Sequence, residues 1–310
     1  MIRRPPRSTQ SRSSAASDVY KRQVVDRALE EYFAESKPSH GKAVHTSSLR
    51  KAIRHSLFSG GKRIRPILSI ASFEAVGGTG KDILPFACGL EMIHTYSLIH
   101  DDLPAIDNDD YRRGKPTCHK AFGEAMAILA GDGLLTEAFR LMTQKSSTDP
   151  AIVLEIVHEI ALASGISGMV GGQVADIESE GRKVDFPTIE YIHAHKTGAL
   201  ITVSVRTGAK LGGGNEGDLK AFTRFGEDIG LAFQIVDDIL NIEGRAELLG
   251  KSTGSDLFKN KATYPSLMGI EESKKRAFAL MESAIHALHR FGQEAEPLRE
   301  IAKFIILRES

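Results

Sequence analysis

An all-α fold is predicted, a single domain of roughly ten helices, and three observations predict it. From Val24 onward apolar residues recur mostly at three- and four-residue intervals, the period of helices with one buried stripe. Strict alternation over strand lengths is hard to find, which removes the pattern of a half-buried sheet. Glycine, proline and polar clusters fall at 77–78, around Pro104, and at 146–150, 180–187, 212–217 and 252–261. They leave intervals of helix length, and none is long enough to be a domain linker. No repeat of solenoid length is present.

Taken in order, residues 1–23 are rich in arginine and serine and nearly free of large apolar side chains, so they are expected to be disordered. The segment resembles translated sequencing-adapter read-through and is expected to be non-native, with the true start upstream of Val24. An Arg/Ser-rich transit peptide is the other reading. Localisation does not rest on this segment; it is expected to be cytoplasmic, with organellar targeting left open. The remaining 24–310 form the folded domain. Asp82 is expected to cap a helix through Phe86, Leu90, Ile93 and Ser97, and a second apolar stripe runs Phe225, Ile229, Phe233, Val236, Leu240.

Composition narrows the function. The 310 residues are 41% apolar, enough for a substantial core. Forty basic residues balance forty acidic ones, so no overall field draws the chain to nucleic acid or to an anionic surface. Cys88 and Cys118 make neither a disulfide framework nor a zinc spacing. The weakly charged stretch 160–175 is broken by glycine and shorter than the ~20 residues of a bilayer span, so no transmembrane segment is expected.

Two apolar stretches each run into adjacent aspartates: LIHDDLPAID, with Asp101, Asp102 and Asp107, and IVDDILN, with Asp237 and Asp238. Carboxylates in apolar helices cost several kcal/mol unless paired or metal-bound. All-oxygen donors with no His/Cys cluster suit a hard divalent ion, and magnesium completes its shell with water and substrate phosphate. Singly, 107–110 is as readily a solvated turn, and Asp237–Asp238 a capped or salt-bridged helix end. Two clusters with matching apolar approaches favour a site.

Basic motifs alternate with the acidic ones. In GGKRIRP, 60–66, two glycines precede three cations, Lys62, Arg63 and Arg65, which lets amides and side chains converge on an anion. A solvated basic turn has equal standing until its neighbours are counted. Arg112-Arg113-Gly114 follows the first acidic cluster, and Lys196-Thr197-Gly198 and Gly250-Lys251-Ser252 add two glycine-flanked lysines. No P-loop pattern is present. His94, seven residues before Asp101 on nearly the same helical face, could donate to phosphate, although a histidine on such a helix is more often a satisfied core residue.

These motifs resemble, over 24–310, the trans-isoprenyl diphosphate synthases, particularly the bacterial short-chain farnesyl and geranylgeranyl enzymes. The likeness rests on GGKRIRP, on 91–114 (EMIHTYSLIHDDLPAIDNDDYRRG) and on 233–241, with 123–135, 171–176, Lys196-Thr197 and 250–265 in the expected order. The resemblance implies the isoprenoid synthase fold, antiparallel helices around a deep central cavity with the two acidic regions facing one another at its mouth, and a homodimer. It also implies head-to-tail prenyl transfer dependent on Mg2+, three ions per site, with Mn2+ able to substitute. Asp101 and Asp107 would hold two ions and Asp237 the third, supported by Asp102 and Asp238. Arg112, Lys196 and Lys251, with Thr197 and Gln234, would grip the allylic diphosphate. Lys62, Arg65, His94 and Arg113 would bind isopentenyl diphosphate, and Gln173 and Asp176 would complete the wall. The family's second region most often ends in a third aspartate; here Asn241 keeps an oxygen but loses a charge.

Tyr96 sits five residues before Asp101, about 7.5 Å down the helix axis, where a ring would floor the cavity, unless it is an ordinary half-buried tyrosine. In related sequences an aromatic residue here accompanies the fifteen-carbon product and a smaller one the twenty-carbon product. Farnesyl diphosphate is therefore expected, with geranylgeranyl diphosphate as the alternative. A non-catalytic subunit normally lacks one aspartate region, and a class I terpene cyclase has no need of 60–66.

Overall fold

The computed structural model describes residues 9–34, 46–144, 147–249 and 263–307. It is almost entirely helical, as the apolar periodicity predicts. Its residues gather in two compact units interleaved along the chain: one of 1–15, 71–79 and 158–310, the other of 16–70 and 80–157. The expected single run of helices is thus divided, yet the divisions at 70/71 and 157/158 fall inside helices rather than at linkers.

In the second unit, α1 (Thr9–Tyr32) carries Val25 and Leu29 fully buried on one face. It begins at Thr9, so 9–23 are helical where disorder is expected; once the buried turn at 25–29 exists, each added residue gains a hydrogen bond at little nucleation cost. Residues 1–8 lie outside the described residues. Helix α2 (Ser47–Leu57) buries Ala52, Ile53 and Leu57. Helix α3 (Ile64–Ala75) passes from this unit into the other.

Helix α4 (Leu84–Asp101) buries residues on every side and packs against α6 (Glu124–Met142). Gly89 permits the approach, because a Cβ there would stand 2.8 Å from Met142 Cγ. Burying one such leucine or methionine stabilises by about 1.5–3 kcal/mol. The N-cap of α4 is Ile83, not Asp82, whose carboxylate instead accepts a hydrogen bond from Ser147 Oγ. Between α4 and α6 lie a two-residue ribbon, β1 (Tyr111–Arg112) with β2 (Lys115–Pro116), and the short α5 (Cys118–Phe122).

Helix α7 (Pro150–Ser164) leads to the first unit's α8 (Met169–Ser179). By length and composition the stretch Pro150–Ser179 is apolar enough to cross a bilayer, contrary to the shorter stretch read from the sequence. The chain breaks it at 165–168, where two glycines end one helix before the next begins.

Next come α9 (Phe186–Ile192), a π-turn (His193–Gly198), α10 (Ala199–Leu211) and α11 (Glu216–Leu249). Helices α12 (Tyr264–Met268), α13 (Ile270–Ala287) and α14 (Glu296–Leu307) close the unit. Helix α11 is its axis and packs against α10, α12, α13, α14 and the π-turn. Gly230 brings it onto the π-turn: a Cβ there would lie 2.8 Å from Gly198 Cα. Phe222, Phe225 and Ile235 are fully buried along it. It runs past Asp237 and Asp238 to Leu249, so the second aspartate pair lies inside a helix and not at its end. Nothing from 231 to 243 is glycine or proline, so no residue stops propagation there.

Candidate active site

The first acidic region is shaped by the end of α4. The chain turns back so that the Asp107 amide donates to the Asp101 carbonyl at 2.9 Å, and Asn108, in the left-handed region at φ 55°, donates to the Leu103 carbonyl at 3.1 Å. Asp101 and Asp107 are thereby set on one turn, both half-exposed, while Asp102 is buried. Arg112 on β1 donates to Asp102 through Nε at 2.7 and 3.0 Å and through a terminal nitrogen at 2.5 Å. Burial opposes the charge on Arg112, but Asp102 outweighs it and holds the guanidinium above its ordinary value.

The neighbouring Arg113 reaches the other way. It occupies φ 53° and donates to the Gly60 carbonyl, and its guanidinium covers Gly61, where a Cβ would stand 2.5 Å away. Gly60 and Gly61, at φ 96° and 129°, make the loop glycine-dependent. Of its three cations, Arg63 turns into the protein rather than toward solvent. It is buried and donates to Asp26 at 2.9 Å, to Glu91 at 2.7 Å and to the Leu57 carbonyl at 2.7 Å. Lys62 is exposed, and Arg65 is half-buried with its Nε unpartnered.

Electrostatics mark this corner. Burial pushes Arg65 down to about 10, with repulsion from Arg113 adding to it and Glu91 opposing. Burial also lowers Arg113, and it drives His94 well below its ordinary value with help from Arg65, Arg113 and Arg112. Cations that suppress one another's charge in a partly desolvated corner are what a polyanion relieves. Tyr96 is buried on α4, its ring edge-on to His100 at 5.6 Å; burial and then the charge of Asp101 raise its hydroxyl.

The other unit carries a second set. In the π-turn, Lys196 donates to Asp176 of α8 at 2.7 Å, and Gly172 lies directly on the Lys196 backbone, leaving no room for a Cβ. Gln173 keeps a buried side-chain oxygen without a partner, and Thr197 lies half-buried beside Lys196. On α11, Gln234 and Asp237 stand 3.4 Å apart. Asp238 accepts the Tyr264 amide at 3.0 Å, and burial pushes its carboxyl up to about 7, with Asp237 and Asp176 adding to the effect. His193 lies 3.6 Å from Asp238, but burial lowers it to about 4, so the contact is not an ion pair near neutral pH. Lys251 lies outside the described residues.

The polyprenyl synthetase family model matches residues 46–302. The chain belongs to that family. Among curated relatives, it is 52% identical over 261 residues to a geranylgeranyl diphosphate synthase of Cyanophora paradoxa, covering 84% of this chain and 87% of the relative. It is 46% identical over 290 residues to a farnesyl diphosphate synthase of Geobacillus stearothermophilus, covering 93% and 95%. Among solved structures it is similar to an FPP/GFPP synthase from Zymomonas mobilis, with a TM-score of 0.84, 37% identity and coverage of 96% and 99%. For this polyprenyl synthetase, sequence reasoning found the acidic and basic motifs but missed Glu91, His193 and Tyr264. A glutamate within the apolar run of α4 was a visible sign of a buried cation.

Proposed function

We propose that this chain condenses isopentenyl diphosphate with dimethylallyl or geranyl diphosphate to give farnesyl diphosphate and free diphosphate, with geranylgeranyl diphosphate as the alternative product. The observation that carries this is the Arg112–Arg113 pair: one arginine is bound to the acidic turn and the next to the Gly60 loop. Two phosphate-binding chemistries thus sit in one corner, which a reaction between two diphosphates needs and a cyclase, with one, does not.

The half-exposed carboxylates of Asp101, Asp107 and Asp237 are the hard oxygen donors that suit magnesium, which draws the rest of its shell from water and substrate phosphate. Asp101 and Asp107 are assigned to two ions and Asp237 to the third, with Asp102 and Asp238 in support and Mn2+ as a substitute. Bound magnesium supplies positive charge that stabilises the departing diphosphate. Arg112, Lys196 and Lys251 hold that diphosphate, aided by Thr197 and Gln234, while Gln173 and Asp176 wall the site. Lys62, Arg65, His94 and Arg113 hold isopentenyl diphosphate. The allylic carbon–oxygen bond breaks, the isopentenyl double bond forms the new carbon–carbon bond, and a proton passes to the released diphosphate. The chain's own work is positioning and electrostatics, with no side-chain nucleophile.

A homodimer is assigned as well. Helix α7 leaves Leu154 and Leu162 exposed, and α8 leaves Val170, Val174 and Ile177 exposed, apolar area that a second copy would cover. Sedimentation at micromolar concentration tests it. The enzyme is assigned as cytoplasmic, organellar targeting being the alternative.

The decisive experiment incubates the full chain with isopentenyl and geranyl diphosphates and magnesium, resolves products by chain length, and repeats it with EDTA. A metal-dependent fifteen-carbon product is expected. A twenty-carbon product moves the assignment to the alternative, and absence of elongation overturns it.

A further inference from the structure

The two aspartates of the second pair have different surroundings. They are successive residues of one helix, so their side chains leave its axis about 100° apart. Asp237 lies beside Gln234 on the half-exposed face of α11. Asp238 turns toward a cluster in which Ile235, Val236, Ile239 and Tyr264 are buried, and its side chain is 15% exposed. There its carboxylate is already in use, accepting the Tyr264 amide at 3.0 Å.

Tyr264 is fully buried and touches three things that bear on the site. Its hydroxyl donates to Glu190 of α9 at 3.0 Å. Its ring meets Phe186 edge-on, centroids 4.9 Å apart, and stacks on His193 at 5.4 Å with the planes 15° from parallel. His193 is the first residue of the π-turn that presents Lys196 and Thr197. A π-turn is a strained register held by its neighbours. Gly172 and Gly230 hold this one from two sides, and the Tyr264 ring supports its start.

We propose that Asp238 is a positioning residue rather than a metal ligand: by fixing Tyr264 it sets the π-turn and, through it, Lys196 and Thr197. The inference rests on the reading of Lys196 as an allylic diphosphate ligand. In the first pair Asp102, its side chain 4% exposed, likewise accepts from a neighbour, Arg112, while Asp101 is half-exposed.

An anchor needs only an acceptor oxygen, whereas a ligand to a divalent ion binds it more weakly once its charge is lost. Asp238→Asn keeps an acceptor for the Tyr264 amide. The full chain carrying it is expected to keep both the Mg2+ half-saturation and the KM for geranyl diphosphate within about threefold of the parent, whereas Asp237→Asn raises the Mg2+ half-saturation by about tenfold or more. A rise in Asp238→Asn equal to that in Asp237→Asn overturns the proposal.

Tyr264 is fully buried, so it acts through its neighbours, and Tyr264→Leu, checked for folding by thermal melting, is expected to raise the KM for geranyl diphosphate about tenfold while leaving that for isopentenyl diphosphate within about twofold. Combined with Lys196→Ala it should add little to the single lysine variant, because the two act through one contact. Full additivity overturns the proposal. Should the leucine variant not fold, the asparagine comparison decides alone. A parent protein that elongates nothing would instead remove the functional reading on which this rests.

Discussion

The two aspartate pairs are alike in sequence and differ in support. The first closes α4, and its loop is rebuilt by backbone hydrogen bonds that return Asp107 to Asp101. The second sits inside a 34-residue helix, where the backbone is fixed and only the side chains can be arranged. A helix end can bring carboxylates six residues apart onto one turn, whereas a helix interior offers only the spacing of its own face. Five aspartates in a row of motifs therefore do not make five equivalent ligands.

Removing a half-exposed aspartate from either pair is the severest way to break this comparison. Asp101→Ala and Asp237→Ala are each expected to lower kcat about 10²–10³-fold, the usual loss when one preorganised stabiliser of a leaving anion is removed. Steady-state rates at saturating substrate measure it. If one variant keeps parental activity, that region holds no essential ion and the symmetry of the two pairs fails.

The next effect is on stability and separates Arg63 from its neighbours in the Gly60 loop. Arg63→Met leaves Glu91 buried without its cation, at a cost of about 3–5 kcal/mol. Thermal melting should show the loss, and Arg63→Met/Glu91→Leu should recover much of it by removing both charges. By contrast Lys62→Ala, on an exposed residue, should leave the melt unchanged and raise the KM for isopentenyl diphosphate far more than that for the allylic substrate. Equal effects on both would remove Lys62 from its assigned role.

That contrast also shows what the sequence could carry. Helix periodicity announced α4 and α11, and turn residues announced the breaks near 77–78, Pro104, 180–187 and 212–217 but not those at 165–168 and 288–295, while 252–261 lie outside the described residues. Charge type and order announced the acidic and basic motifs. The sequence did not show that Arg63, between the exposed Lys62 and the half-buried Arg65, turns inward to Asp26 and Glu91, because local spacing contains no information about a partner 28 or 37 residues away. The same limit hid Tyr264, whose amide answers Asp238 from 26 positions on. It also hid the division of helices into two interleaved units and the π-turn, which needs five-residue hydrogen bonding that no apolar stripe encodes.

Product length is a subtler readout of the first region. Tyr96 is buried under the last turn of α4 with its ring against His100, and Asp101 is near enough to raise its hydroxyl. If the ring floors the cavity, Tyr96→Ala should move the product from fifteen toward twenty carbons with little loss of total turnover. An unchanged product profile would make Tyr96 a structural residue and place the floor elsewhere.

The smallest expected effect is at Asn241, the exposed residue one helical turn beyond Asp237. Asn241→Asp adds a third charge without altering shape. Added on an exposed face in high dielectric, one carboxylate is worth at most about 1 kcal/mol, so the Mg2+ half-saturation should fall only a few-fold, less at high salt, with kcat unchanged. The same substitution brings a third negative charge beside Asp237 and Asp238. If repulsion among the three outweighed attraction for the ion, half-saturation would rise instead, and the second region would be shown to hold its ion with Asp237 alone.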